Sequence, residues 1–123
     1  MKSKHLSRAQ KATLRQALVT KRSQLARDVE RLEDEGLDSS APGEAELGDV
    51  AEAVIQDRRR MALEEHDRVL LEDVEHALAK LEAGTYGVCE ATGRPIPFER
   101  LMAVPWARYE TRQSDRVERA SRP

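Results

Sequence analysis

Leu14, Leu18, Leu25, Val29 and Leu32 recur at intervals of four and seven residues, which lines them up on one face of a long helix. Ser7 followed by Gln10 is a capping-box pattern and sets the start of that helix. The pattern predicts a helix to about Glu35, where Gly36 can take the left-handed conformation that ends helices. Ser39, Ser40, Pro42 and Gly43 then form a short polar loop. Asp49 serves as N-cap of a second helix that meets no Pro or Gly before Gly84. Its seam is clearest at Leu71, Val74, Leu78 and Leu81. Two helices of roughly 30 residues, each ~40 Å long at the helical rise, joined by a short polar loop, predict an antiparallel coiled-coil hairpin with its turn near Pro42. With 36% charged and 3% aromatic residues in 123, the chain is too polar for a thick globular core and suits exposed helices. The expected class is mainly α.

Charge is unevenly spread although the net value is only −2. Residues 1–27 contain bases and no acid, whereas residues 28–57 are rich in Asp and Glu with Arg31 as the sole base. Folding about Pro42 would set residue i near residue 84−i, bringing Arg8, Lys11 and Arg15 to Glu75, Asp73 and Glu72. Glu33, Asp34 and Glu35 would then face no base. The acidic tip, residues 36–51, includes Asp38, Glu44, Glu46 and Asp49, with Glu52 beside it. A solvated loop is the plain reading of such a run, but carboxylates carried on a stiff stalk among Leu47, Val50 and Val54 can also reach a partner.

Nothing in the sequence has the form of an active site. There is no phosphate-binding glycine loop, nucleophile elbow or triad, and exposed carboxylates lack the burial that shifts their pKa. No stretch has signal-peptide or membrane length, and Cys89 alone forms no intramolecular disulfide, so a cytoplasmic protein without membrane association is expected. From Gly84 the sequence turns to Gly, Pro and spaced apolar residues. Tyr86, Val88, Ile96, Leu101, Val104 and Trp106 should form the core of a small lobe, followed by a short helix from about Trp106 to Ala120. The division expected is residues 1–83, arm and hairpin, and 84–123, lobe and C-terminal helix.

Gly84, Tyr86, Gly87, Cys89, Gly93, Ile96, Arg100, Leu101, Ala103, Pro105 and Ala107 follow a pattern that resembles the DksA/TraR family of bacterial RNA polymerase regulators. That family also has the hairpin, and its tip motif Asp-x-x-Asp-x-Ala aligns with Glu46, Asp49 and Ala51. Four family cysteines bind a structural zinc. Their positions here hold Cys89, Thr92, Glu110 and Gln113, and one thiolate does not make a tetrahedral site. The lobe is therefore zinc-finger-like with a degenerate site, and no metal or other cofactor is expected. Cys89 is a relic of that site, with oxidation of its thiol as the alternative.

The resemblance implies a transcription regulator of the stringent-response type that inserts its hairpin into the polymerase secondary channel and modulates initiation. Glu46 and Asp49 would be the acidic effectors, Ala51 a close-packing position and Arg100 a lobe contact. Three positions at which the family contacts guanosine tetraphosphate correspond to Asp73, Val104 and Ser114, none basic, so little cooperation with that alarmone is expected. A monomer without sequence-specific DNA binding is expected. The rival reading is a nucleic-acid binder using the basic arm, residues 2–27, against which stand the acidic partners on the second helix and the lack of stacking aromatics.

Overall fold

The computed structural model describes residues 4–38 and 47–110. Two long helices, α1 (Arg8–Asp38) and α2 (Leu47–Ala83), are followed by a short α3 (Phe98–Ala103). One isolated antiparallel bridge, Val88 to Pro95, is the only extended pairing among the described residues. None of these helices is long and apolar enough to cross a membrane.

The start of α1 is set as the sequence predicts. The Ser7 amide donates to Gln10 Oε1 at 2.8 Å and the Gln10 amide donates to Ser7 Oγ at 3.0 Å, a closed capping box. Its end differs, because Gly36 is helical and α1 runs on to Asp38. A methyl group on Gly36 would lie 2.6 Å from Arg60 Nη1. Glycine is there to admit a guanidinium and leaves the helix unbroken. Likewise α2 begins at Leu47, so Asp49 lies in its first turn rather than capping it, while Gly84, at φ 79°, does end it.

The chain packs as two units, one of Met1–Arg22 with Glu72–Pro123 and one of Ser23–Leu71. In the first, Leu14, Leu18, Val74 and Ala77 are buried, with Leu78 and Leu81 half-buried beside them. In the second, Leu25 and Leu32 of α1 are buried against a different kind of surface. Asp57, Arg60 and Glu64 are half-buried and Asp67 is buried. Continued through Leu71, Val74, Leu78 and Leu81, these positions step by three and four. The coiled-coil repeat therefore spans most of α2, but its first half is charged.

The pairing register departs from the expected one. Arg15 pairs with Glu82 at 3.2 Å, not with Glu72, and Glu33 pairs with Arg68. The end of α1 lies level with the second and third turns of α2, where Glu35 shares a surface cavity with Ala53, Gln56, Asp57 and Arg60. No described residue of α1 thus lies opposite the first turn of α2, and every residue from 47 to 56 is exposed. A turn centred on the loop ignores how the apolar side chains of α1 and the charged seam of α2 mesh, and the meshing sets the register.

Leu18 is fully buried, whereas Leu63 is 47% exposed. Leu18→Ala is expected to cost about 2–5 kcal/mol and Leu63→Ala less than about 1 kcal/mol, measured by denaturant unfolding followed by circular dichroism.

Candidate functional site

Two regions hold the residues singled out in the sequence. At the free end of α2, Asp49 and Ala51 are exposed on the first two turns. A carboxylate in a first turn is favoured by the helix dipole, so Asp49 also steadies the helix that carries it. Leu47 and Val50 beside it are 87% and 45% exposed. Glu46 and Glu44 lie outside the described residues. The carboxylates at the end of α1 are not all unpartnered, as the expected register implied: Glu33 is paired with Arg68, and Glu35 accepts from Arg31 at 3.2 Å.

The lobe is built on a tight turn around Cys89. The Cys89 amide donates to the Arg94 carbonyl at 2.8 Å, and the Gly93 amide donates to the Cys89 carbonyl at 2.9 Å. Gly87 and Gly93 take φ values of 83° and 75°, which L side chains rarely adopt. At Gly87 a Cβ would also meet Leu6 Cδ1 at 2.9 Å, so the N-terminal arm seals the lobe there. The His5 ring Nε2 donates to the Ile96 carbonyl at 2.8 Å and reinforces that seal. The core contains Tyr86, Ile96 and Leu101 as expected, together with Cys89 and Tyr109; Val88, Val104 and Trp106 are only half-buried. Lys21 of α1 lies over the Trp106 ring, 5.7 Å from its centre. The short helix expected from about Trp106 is not formed at residues 106–110, and its remainder lies outside the described residues. The short third helix is instead α3, which precedes Pro105.

Polar contacts tie the lobe together and bind it to α2. The Tyr86 hydroxyl donates to the Pro105 carbonyl at 2.9 Å, and burial pushes its pKa above the ordinary tyrosine range. Lys80 Nζ donates to the Val88 carbonyl at 3.1 Å, with burial holding the ammonium below its ordinary pKa. Arg108 reaches buried Asp73 through Nη2 at 2.8 Å and Nε at 3.1 Å, and Glu90 at 3.8 Å. Glu90 in turn meets His76 at 3.1 Å, so His76 is engaged by the lobe and not by Glu72. The sequence reading missed this clamp. Its only signal was an acid, Asp73, beside Val74 in the apolar half of the seam.

The described residues of the lobe do not fit a zinc ion. Cys89 is 1% exposed. Burial raises its pKa, but hydrogen bonds from the Thr92 hydroxyl and from the amides of Thr92, Glu110 and Ala91 outweigh this and leave it lowered. The sulfur is thus cradled by donors of the protein itself. Glu110 is turned to Arg94 at 3.9 Å, and Thr92 Oγ1 also accepts from the Arg94 amide at 3.2 Å. Gln113, the fourth position, lies outside the described residues. Among those described, no group of three or more His, Cys, Asp or Glu side chains could hold a metal.

Comparison with known proteins accounts for this architecture. The family described as prokaryotic dksA/traR C4-type zinc finger matches residues 84–109. RNA polymerase-binding transcription factor DksA of Caulobacter vibrioides is 33% identical over 86 residues, 70% of this chain and 61% of that protein. The structure of transcription factor DksA2 from Pseudomonas aeruginosa superposes with a TM-score of 0.78 at 29% identity, over 97% of this chain and 91% of that one. The chain belongs to the DksA/TraR family. General stress protein 16O of Bacillus subtilis is 55% identical over 56 residues, 46% of this chain and 34% of that protein. The chain thus spans about a third of one curated relative and 61% of the other.

Within the family's pattern, the three positions expected to meet guanosine tetraphosphate offer no cation. Asp73 is buried under Arg108 and Val104 is half-buried, while Ser114 lies outside the described residues. Arg100 is part-buried and donates from Nε to the Tyr109 carbonyl at 2.9 Å, so it clamps the lobe from within.

Since only Cys89 remains of the usual ligand set, the purified protein is expected to carry no stoichiometric zinc and to keep its helicity in a chelator. Metal analysis and circular dichroism check this; one zinc per chain, or melting on chelation, would show ligands that the donor set does not contain.

Proposed function

We propose that this chain regulates transcription by inserting the acidic end of its hairpin into the secondary channel of RNA polymerase and altering initiation. The observation that carries the reading is the free end of α2. Exposed Asp49 stands on the first turn of α2, with no described residue of α1 opposite it, and exposed Ala51 follows on the next turn, in a chain 33% identical to a protein named for binding RNA polymerase. A rigid helix end holds its carboxylate at fixed reach, which a floppy loop does not. Leu47 and Val50 supply apolar surface to seat it. Glu46 would act with Asp49, and its extra methylene relative to aspartate sets a slightly longer reach. Ala51 allows close approach of a partner backbone, and Arg100 steadies the lobe so that it can serve as a second contact. The clamp between Asp73 and Arg108 would keep the lobe formed without metal.

The tip carboxylates contribute little to folding because they are exposed, whereas an effect on a charged reaction centre depends on them. Glu46→Gln with Asp49→Asn is expected to abolish the effect on transcription in a purified polymerase assay while leaving helicity and polymerase binding unchanged. Full activity in the double variant would reduce the tip to a passive loop.

The alarmone should add little. Phosphate recognition needs cations or backbone donors, and each absent charge-assisted contact forfeits roughly 1.5–3 kcal/mol. In a transcription assay with polymerase lacking its other alarmone site, titrating guanosine tetraphosphate is expected to leave the protein's effect essentially constant. A strong dose-dependent enhancement would overturn that reading.

A further inference from the structure

The outward face of α2 in the Ser23–Leu71 unit carries a pattern that the hairpin does not use. Val54, Met61 and Val69 are 46%, 55% and 45% exposed. With Arg58, Ala62 and Glu65, all exposed, they step by three or four residues and so share one helical face. That face points away from the seam of Asp57, Arg60, Glu64 and Asp67, which is turned inward. Apolar residues outside and charges inside invert the usual amphipathic arrangement.

The order along the face is Val54, Arg58, Met61 with Ala62, Glu65, Val69. It reads the same from either end except that the charge changes sign. Laid antiparallel on itself about a two-fold axis between residues 61 and 62, the face sets Val54 against Val69, Arg58 against Glu65 and Met61 against Ala62. Such a match of a surface with its own copy is what an isologous two-fold interface requires. Arg58 and Glu65 stand about 10 Å apart along the helix, too far to satisfy each other within one chain. Among the described residues neither makes an ion pair or hydrogen bond, and Glu65 acts only at a distance, on Arg68.

The rest of the chain has little with which to cover this face. Residues 1–3 offer only Met1 as an apolar side chain, residues 39–46 only Ala41, Pro42 and Ala45, and residues 111–123 only Val117, Ala120 and Pro123 among four arginines.

We propose that this face is a self-association surface: two copies of the chain pair antiparallel through α2, with Arg58 of each meeting Glu65 of the other between flanking valines. This departs from the monomer expected in the sequence analysis. The contact runs about 22 Å along the helix, so the pair is a weak, concentration-dependent one. Asp49 and Ala51 lie on the same helix, so pairing and polymerase insertion would compete. That consequence rests on the function proposed above; the pairing itself does not.

The test uses the full chain in analytical ultracentrifugation over a concentration series, with circular dichroism to verify folding. The wild type is expected to pass from monomer to dimer. Arg58→Glu alone and Glu65→Arg alone each place like charges opposite one another twice, and each should weaken the dimer tenfold or more. An equimolar mixture of the two variants restores both attractions and should dimerise at least as well as the wild type. Because both variants keep the valines and the helix, their individual loss and mutual rescue cannot come from misfolding. A wild type that stays monomeric up to about 1 mM, or a dimer indifferent to both substitutions, or a mixture that fails to rescue, would overturn the proposal.

Discussion

The seam of α2 governs what the remainder of the molecule can do. Between Asp57 and Leu81 the same positions repeat at intervals of three and four, yet they are charged up to Asp67 and aliphatic from Leu71. In the aliphatic half, cohesion comes from removing Leu14, Leu18, Val74 and Ala77 from water, worth roughly 1.5–3 kcal/mol for each large side chain. In the charged half, Arg60 makes the contact. Its guanidinium donates to Asp57, to Glu64 and to the Leu32 carbonyl at 3.1 Å, over a glycine that leaves room for it. Directional hydrogen bonds fix geometry more than they add stability, because they replace hydrogen bonds to water. One end of α2 is therefore held mainly by burial and the other mainly by alignment.

This division suits the two tasks assigned to the chain. The lobe, proposed to stay formed without the metal that its family's description names, is placed on the aliphatic half, where Arg108 reaches from the lobe to a buried Asp73. A buried ion pair is not a strong source of net stability, but removing one partner strands a charge and is costly. The clamp consequently penalises any state in which the lobe lifts off α2. The charged half leads instead to a helix end with no described residue of α1 opposite it, where exposure of Asp49 and of its apolar neighbours fits the proposed contact with a partner.

Much of this was legible in the residues. The leucine spacing gave α1, Ser7 and Gln10 gave its first turn, Gly84 gave the end of α2, and the pattern around Cys89 identified the lobe and the loss of its ligands. Three misreadings turn on tertiary contacts. Gly36 has the composition of a helix end, but its use as a seat for Arg60 depends on a side chain twenty-four positions later. The seam was placed at Leu71 to Leu81 and its charged first half was passed over, because a charge buried by pairing and a charge in water are written with the same letters. The register failed because antiparallel pairing was counted from the loop, while a helix pair settles where its side chains interlock.

The sequence by itself therefore determined the elements: two helices with an apolar stripe, a glycine-rich lobe with a single thiol, and an acidic stretch between the helices. These follow from local rules, namely helical periodicity, capping and backbone freedom, which act over a few residues. Only the tertiary structure decided which charges are spent and which remain available. Asp73 and Glu33 found charged partners far along the chain and Arg60 reached the Leu32 carbonyl, while Asp49, Arg58 and Glu65 formed no ion pair among the described residues. The reason is physical: the fate of a charge depends on its distance to an opposite charge and on the water between them, and neither is set until the helices have chosen their register.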